Sequence, residues 1–314
     1  MQKRLLFLLA FLMTAISSAM AQVTTSSMSG TVVAEGEEII GATVDVVHTP
    51  SGTHYRAVTN EKGVYTINGM RVGGPYQVTV KCIGFSDKTV GGINLQLGET
   101  YNLKTNLSES VKEMQEVTVS AKGSKFSYEQ TGASTNISNE QMLAMPTVSR
   151  SVTDFTRLSP YGGNGMTFQG SDGRTANFTV DGANFNNNFG LSSSLPGGGN
   201  PISMEAIEEL QVVISPFDVR QTGFIGGALN AITKSGTNTF KGQAYIYHQN
   251  ENMRGDAVES EFISGSRDKD RTTTYGFSLG GPIIKNKLFF FVNGELVKSP
   301  GTGTPWRASE VGVG

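Results

Sequence analysis

Short runs of alternating apolar and polar residues, separated by glycine-containing turns, recur along most of the chain. Because the side chains of a strand point alternately to its two faces, this period of two predicts β-strands that are buried on one face. The 39 glycines among 314 residues strengthen the prediction, and charged residues make up only 17% of the chain. These features predict a mainly β, multidomain protein and argue against a helix bundle or a coiled coil.

The first 21 residues have the three parts of a secretory signal peptide. Lys3 and Arg4 form a basic start, an apolar run follows, and Ala19-Met20-Ala21 supplies a small-residue cleavage site before Gln22. We therefore predict a signal peptide over residues 1–21 and an exported mature protein. No later run reaches 18 consecutive apolar residues, so a mature chain that enters a membrane is expected to do so as a β-barrel.

The sequence predicts no catalytic residue, cofactor or metal site. A formal net charge of −2 argues against a nucleic-acid partner. His248 and Glu251 have the H-x-x-E spacing of a zinc carboxypeptidase, but no later histidine completes a ligand set. The single cysteine, Cys82, shares a predicted strand face with Tyr76 and Val78 and is expected to pack in a core. We therefore predict that the protein is not an enzyme.

Seven strand-length runs at regular spacing predict a small antiparallel β-sandwich in the first third of the mature chain. The turn Asn60-Glu61-Lys62-Gly63, followed by an alternating run, is typical of a hairpin. The predicted strands are Met28 to Val33, Ala42 to His48, Tyr55 to Thr59, Val64 to Asn68, Tyr76 to Cys82, Lys88 to Asn94 and Tyr101 to Leu107.

The same region resembles the carboxypeptidase-regulatory-like domain. The resemblance rests on Gly30 to Val33, Ile40 to Val44, Thr59 to Ile67 and Tyr76 to Val80. It implies a prealbumin-like sandwich with a carbohydrate-binding-like fold and no peptidase activity. We place this domain at residues 22–107.

Residues 108–127 are predicted to be a linker that contains one strand-prone segment. That segment, Glu116-Val117-Thr118-Val119-Ser120-Ala121, has flexible, polar flanks and no partner nearby in the sequence. Such a segment is suited to adding itself to the sheet edge of another protein. It is similar to the TonB box of outer-membrane receptors, which implies that Glu116 to Ala121 contact TonB.

The next region, residues 128–237, has a mixed α/β pattern. Ser138 and Gln141 have capping-box spacing before a short helix that ends at Pro146. A second helical segment is predicted because apolar residues recur at helical spacing, at Val148, Val152, Phe155 and Leu158. Ser203 is predicted to cap a further helix, which carries Met204, Ile207 and Leu210. Strands are predicted at Phe178 to Val180, before a tight Asp-Gly turn, and at Val212 to Ile214.

Three motifs in this region occur in the order seen in the plug domain of TonB-dependent receptors. They are Phe178 to Gly182, Ile207 to Val212 and Gly226 to Gly236. Residues Ser215 to Asp218 depart from the usual plug turn, which favours the Oar-like branch over the sugar-uptake SusC-like branch. The plug-motif residues implied by the resemblance are Arg174, Asp181, Gly182, Glu208, Glu209, Gly226, Gly227, Asn230 and Thr233.

Residues 238–314 are predicted to begin an outer-membrane β-barrel. Tyr275, Phe277 and Leu279 alternate with small and polar residues, as expected for a lipid face opposite a polar lumen. Further strands are predicted at Phe240 to His248, with Tyr245 and Tyr247 at the membrane interface, and at Leu288 to Val297. Because about 22 strands are needed to close a plugged barrel, we expect the chain to be a truncated receptor.

The resemblance implies an outer-membrane receptor that takes up a substrate when TonB, driven by its inner-membrane energising complex, displaces the plug. It also implies contact with outer-membrane lipid and a periplasmic N-terminal domain. The substrate classes left open are oligosaccharide, peptide and metal chelate, and a surface lipoprotein partner is left open too. Substrate contacts are expected in a long polar loop, at Asn184, Asn186, Asn187, Asn188 and Asn200. The alternative is a secreted carbohydrate-binding or adhesin-like sandwich protein.

Overall fold

The described part of the computed structural model is mostly β-sheet, with an N-terminal sandwich, a central unit and a three-stranded sheet. It comprises residues 23–109, 117–120, 133–147, 150–186, 195, 200–214, 225–253, 257–258, 261–262 and 271–299. The predicted signal peptide lies outside these residues. Among them, no helix has the length and apolar character needed to cross a membrane.

The sandwich contains every strand that the alternation pattern predicts, together with one short additional strand. Its strands are β1 (Ser26–Ala34), β2 (Glu37–Glu38), β3 (Thr43–His48), β4 (Thr53–Val58), β5 (Val64–Met70), β6 (Gly73–Lys81), β7 (Lys88–Leu95) and β8 (Thr100–Leu107). Buried positions alternate with more accessible ones, as along β1, where every second residue is buried. Their buried positions form one core that includes Tyr65, Tyr76 and Met28. Cys82 is partly buried against this core, as predicted.

The two sheets of the sandwich are not antiparallel throughout, which corrects the sequence prediction. One sheet has the order β2-β1-β5, with β8 also paired to β1, and the other contains β4-β3-β6-β7. β8 pairs with β1 in parallel, from Ser27↔Thr100 to Ala34↔Leu107. The chain crosses from one sheet to the other between β7 and β8, so no hairpin forces an antiparallel neighbour.

A further strand, β9 (Val117–Ser120), lies at the end of the second sheet. It pairs in parallel with β7, in the register Lys88↔Val117 to Gly91↔Ser120. This segment was predicted to have no partner nearby in the sequence, and its partner β7 is indeed distant in the sequence. β7 precedes β9 by more than twenty residues, so hairpin signals could not reveal the pairing.

The central unit is a five-stranded sheet with one α-helix and three 3₁₀ turns. Its elements are β10 (Ala133–Ser138), α1 (Asn139–Ala144), β11 (Asn177–Val180), β12 (Ala183–Asn184), β13 (Ile207–Ile214), β14 (Gly227–Thr233) and 3₁₀ turns at Val152–Leu158, Gly173–Thr175 and Met204–Ala206. The strand order is β10-β13-β14-β11-β12. A second core cluster, which includes Phe155, Phe168 and Phe178, packs against this sheet.

The predicted capping box of α1 is confirmed. The backbone N–H of Gln141 donates to Ser138 Oγ at 3.4 Å, and the backbone N–H of Ser138 donates to Gln141 Oε1 at 3.0 Å. The helical spacing that includes Val152 and Phe155 produces a 3₁₀ turn with both side chains fully buried. Val148, which belongs to the same prediction, lies outside the described residues.

The predicted helix after Ser203 is wrong. Only Met204–Ala206 forms a 3₁₀ turn, and Ile207 begins β13. β13 lies between β10 and β14, and seven of its eight residues are buried. A run buried on both faces loses its period of two, and its apolar residues then also match helical spacing. Ser203 makes no side-chain capping bond.

The last described region contains the three predicted strands and two short additional ones. The predicted strands are β15 (Lys241–Asn250), β18 (Arg271–Ile284) and β19 (Leu288–Lys298), and the additional ones are β16 (Ala257–Val258) and β17 (Glu261–Phe262). β15, β18 and β19 form an antiparallel sheet in which Ile246↔Tyr275↔Leu296 and Leu279↔Val292 are register partners. Partners share a face of the sheet, so this face is a continuous apolar surface.

The two tyrosines predicted at the membrane interface lie on the opposite face. Tyr245 pairs with Gly276, and Tyr247 pairs with Thr274. This face is polar: Tyr245 donates to Glu295 Oε2 at 2.7 Å, and Asn293 donates to the Phe277 carbonyl. The prediction for these tyrosines is therefore wrong, because their register places them one residue out of phase with the apolar face.

Candidate functional site

The three sequence motifs of the central unit assemble in one sheet. β11 pairs in parallel with β14, and β13 pairs with β14 in an antiparallel arrangement. The Asp-Gly turn after β11 forms as predicted, with φ values of 49° at Asp181 and 82° at Gly182. Positive φ at both positions is typical of a two-residue hairpin turn. Asp181 accepts hydrogen bonds from the Thr233 amide at 2.9 Å and the Thr233 hydroxyl at 2.6 Å, which ties the turn to the end of β14.

The glycine pair at the start of β14 makes room for side chains that pack against the sheet. A Cβ at Gly227 would lie 2.4 Å from Cγ of Phe168, whose side chain is fully buried. Gly226 has a φ of 98°, and a Cβ there would lie 2.8 Å from Ser171 Oγ. Both positions therefore require glycine, one for close packing and the other for backbone conformation as well.

A chain of buried hydrogen bonds runs across the sheet and reaches the sandwich. Thr179 on β11 donates to Asn230 Oδ1 at 2.8 Å, and Asn230 Nδ2 donates to Gln211 Oε1 at 3.4 Å. Gln211 Nε2 in turn donates to the carbonyl of Leu97 at 2.7 Å. Leu97 is fully buried in the turn between β7 and β8. The central sheet and the sandwich therefore share one polar network.

Glu209 binds the second backbone polar group of Leu97, its N–H. Its Oε1 accepts the backbone N–H of Leu97 at 2.8 Å, so β13 binds both polar groups of this residue. Burial raises the pKa of Glu209 to about 8, the Leu97 N–H opposes the rise, and the Glu99 and Glu208 carboxylates add to it. A carboxyl with this pKa carries a proton at neutral pH. We refer to Glu209, Gln211 and Leu97 as the Leu97 clamp.

Glu208, the neighbouring plug-motif residue, faces a cavity of about 530 Å³ between the sandwich, the central sheet and β15. Burial raises its pKa, whereas nearby cations, led by Lys234 and Lys241, lower it. Lys234 is itself partly desolvated, and burial lowers its pKa. Arg71 of the sandwich also lines the cavity, and its Nη1 has no hydrogen-bond partner in the described chain. The cavity thus mixes both signs of charge.

Arg174, by contrast, makes a local surface contact. Its Nε donates to Asp172 Oδ2 at 2.8 Å, and its backbone N–H donates to Asp172 Oδ1 at 3.0 Å. The hydrogen bond from the Arg174 side chain is the main reason that the pKa of Asp172 falls to about 2. The pair caps the 3₁₀ turn that leads into β11, so the structure gives Arg174 a local structural contact.

The predicted substrate loop is only partly described. Asn187 and Asn188 lie outside the described residues. Asn184 is exposed on β12, and its Oδ1 accepts from the Asn186 amide at 2.8 Å. Asn186 donates to Asn177 Oδ1 and accepts from the Phe178 amide at 2.6 Å, so its side chain holds the hairpin together.

Asn200 lies at a second cavity, of about 740 Å³, between the central unit and the polar face of the three-stranded sheet. Its Nδ2 donates to the Arg150 carbonyl at 3.1 Å. The Arg150 guanidinium forms an ion pair with Glu205 and lies 3.6 Å from the centre of the Tyr247 ring. Asn200 Oδ1 and Glu205 Oε2 are buried without a hydrogen-bond partner in the described part of the chain.

The residues that sequence reasoning missed are those that join separate units. Leu97, Gln211, Arg150 and Glu205 were not predicted to have a role. Gln211 stands inside a predicted motif, and a polar residue within a fully buried strand is a signal that could have identified it. Leu97 carried no such signal, because it contributes only its backbone to the Leu97 clamp.

Two family matches cover separate parts of the chain. Residues 27–108 match the carboxypeptidase regulatory-like domain, and residues 232–308 match the outer membrane beta barrel domain. The first match covers the sandwich, and the second covers β15, β18 and β19. The chain therefore combines a sandwich similar to the regulatory-like domain with strands similar to an outer-membrane β-barrel, and the predicted mainly β fold class is confirmed.

A known transporter is similar to part of this chain. The TonB-dependent transporter Oar of Myxococcus xanthus is 29% identical over 150 residues, which cover 45% of this chain and 14% of the relative. With the two family matches, this similarity confirms the predicted resemblance to TonB-dependent receptors. The relative is a transporter, which is consistent with a protein that is not an enzyme. The chain spans only a small part of the relative's length.

Solved structures of siderophore receptors are also similar. PirA from Acinetobacter baumannii matches 53% of this chain and 24% of its own, with 22% identity and a TM-score of 0.40. PirA from Pseudomonas aeruginosa matches 55% of this chain and 28% of its own, with 22% identity and a TM-score of 0.37. The signal peptide, the domain boundaries and the individual site residues stay predictions.

Proposed function

We propose that the chain is the N-terminal part of a receptor that takes up a substrate across the outer membrane by energy-coupled displacement of a plug. In this proposal the central unit is the plug, and β15, β18 and β19 begin the barrel wall around it. The sandwich lies in the periplasm, after removal of a signal peptide before Gln22. Glu116 to Ala121 provide the contact with TonB.

The observation that carries the proposal is the two-sided character of the three-stranded sheet. Its polar face contacts the central unit through Arg150, which lies over Tyr247, and through Ser203, which donates to Asn293 Oδ1 at 3.0 Å. Its apolar face points away from the central unit and leaves Phe277 and Leu279 about half exposed. A plug inside a barrel requires this arrangement, with a polar wall toward the plug and an apolar wall toward lipid.

The cavity beside Asn200 is the proposed substrate contact within the described residues. Asn200 lines this cavity, and leaving its buried acceptor Oδ1 without a hydrogen-bond partner is costly. A ligand that brings an N–H or O–H donor would satisfy it. Oligosaccharide, peptide and metal-chelate substrates all offer such donors, so the proposed site fits each of the three classes.

Uptake would then couple to the periplasm through β9. Backbone groups of a short extended strand can pair with a sheet edge of TonB regardless of the detailed side-chain sequence. A pull on this strand acts on the chain that enters β10, the first strand of the proposed plug. No covalent step is involved, and the energising complex supplies the work.

Deletion of Glu116 to Ala121 from the full-length receptor tests this function. We expect substrate binding to persist and uptake to be lost, because plug and barrel form the site while the deleted strand only transmits force. The matched control deletes Lys122 to Ser127, which shortens the linker by the same length but leaves β9 intact. Uptake that survives the first deletion, or a full-length protein absent from detergent-extracted outer membrane, would contradict the proposal.

A further inference from the structure

β9 occupies the end position of its sheet and therefore has two different edges. The sheet order β4-β3-β6-β7-β9 pairs one edge of β9 with β7. On the other edge, the described residues contain no neighbouring strand. The backbone groups along that edge are available to a strand from another protein.

The position of β9 beside β7 is favoured by the short connection. Nine residues separate the end of β8 at Leu107 from the start of β9 at Val117. A short connection keeps a segment at high effective concentration near its docking edge, and its closure costs little entropy. β9 also covers the edge of β7, which would otherwise be the exposed end of the sheet.

We propose that the sandwich presents β9 as an ordered edge strand, and that TonB adds its own strand to the open edge while β9 stays paired with β7. This inference rests on the proposed function, which identifies the incoming strand as that of TonB. The sandwich is then part of the coupling site. Its contribution is preorganisation: a segment that is already extended loses less conformational freedom when its partner binds.

The opposite arrangement is release, in which β9 must leave β7 before TonB can bind it. The two arrangements differ in the effect of a covalent link between β7 and β9. Under presentation, the linked strand binds TonB at least as tightly as the free one. Under release, the link abolishes binding.

A reversible disulfide between Gly91→Cys and Ser120→Cys provides this link. Gly91 and Ser120 are register partners, and a Cβ at Gly91 would have no heavy atom within 4 Å. Neighbouring strands are about 4.8 Å apart, within the Cα separation that disulfides span. The full-length receptor in detergent also carries Cys82→Ala, so that no other thiol of the described chain competes. The two single-cysteine variants are the controls.

The measurements are the yield of the cross-link and the affinity for the C-terminal domain of TonB, before and after reduction of the same sample. We expect a high cross-link yield, and oxidised receptor that binds TonB as tightly as the reduced receptor or several-fold tighter. Failure to cross-link would overturn the docking of β9 on β7. Binding that is tenfold weaker in the oxidised form and restored by reduction would overturn presentation in favour of release.

The same experiment separates this inference from the proposed function. If neither the oxidised nor the reduced receptor binds TonB, the proposed function fails and the identity of the incoming strand fails with it. The cross-link yield does not depend on TonB, so it still decides whether β9 docks on the sandwich.

Discussion

The Leu97 clamp is predicted to weaken as the pH rises. Burial raises the pKa of Glu209 to about 8 from an ordinary value of 4.5. When the sandwich and the central sheet separate, this carboxyl meets water and regains an ordinary pKa. Between pH 4.5 and about 8, the separated state is therefore ionised while the joined state keeps its proton. Because the joined state binds the extra proton, its stability falls as the pH rises through this window.

The size of the effect follows from the same shift. Each pH unit within the window changes the free energy of separation by at most about 1.4 kcal/mol, so a change from pH 5 to pH 7 costs at most about 3 kcal/mol. This corresponds to a roughly hundredfold loss of protection for the Leu97 amide. If the carboxyl stays partly buried in the separated state, the pKa difference between the two states is smaller, and so is the loss of protection.

Hydrogen exchange measured by mass spectrometry on the detergent-solubilised full-length receptor tests this reasoning. The peptide that contains Leu97 is followed at pH 5 and pH 7, and its exchange is corrected for the intrinsic rate. Glu209→Gln keeps an acceptor for the Leu97 N–H and cannot ionise, so its corrected protection should not depend on pH. Glu140→Gln, at an exposed position, is the control. Equal corrected protection at both pH values in the unmodified receptor would refute the argument.

Three further outcomes are expected. Burial lowers the pKa of His48 to about 4 from 6.5, so below pH 6.5 the unfolded chain binds one proton more than the folded chain. The sandwich expressed alone should therefore lose up to about 3 kcal/mol of unfolding free energy by pH 4, as measured by urea titration. Gly227→Ala should force its Cβ against Phe168, cost about 1–3 kcal/mol and accelerate limited proteolysis of the central unit, whereas Gly91→Ala should have little effect. Mass spectrometry of the mature protein should find an N-terminus at Gln22, and an intact leader on exported protein would contradict the predicted signal peptide.

Local signals explain why most of the sandwich could be predicted from sequence. Each strand there has one buried face, and turn residues such as those at Asn60 to Gly63 separate the strands. Asn60 Oδ1 accepts from the amides of Lys62 and Val64, so the information that forms this turn lies within a few residues. The Asp-Gly turn at Asp181 was predictable for the same reason.

Non-local contacts explain the failures. The helix predicted at Ile207 is a strand because β10 and β14 pair with both of its edges, and β10 lies about seventy residues earlier in the sequence. The parallel pairing of β1 with β8 joins residues about seventy positions apart. The clamp on Leu97 depends on a main-chain N–H and carbonyl, which every non-proline residue possesses. Residue type alone could not distinguish this one.

The position of β10 determines the order in which the central sheet would come apart under tension from the N-terminal side. β10 is an edge strand, and among the described residues its one sheet partner is β13, over six register pairs from Ala133↔Ile214 to Ser138↔Glu209. Its last residue, Ser138, is also the N-cap of α1. Peeling β10 away therefore uncaps the helix, while β13, β14 and β11 keep all the bonds between them. The edge strand β10 is therefore expected to detach under less force than the inner strands. The remaining sheet then offers the free edge of β13, on which β10 can pair again.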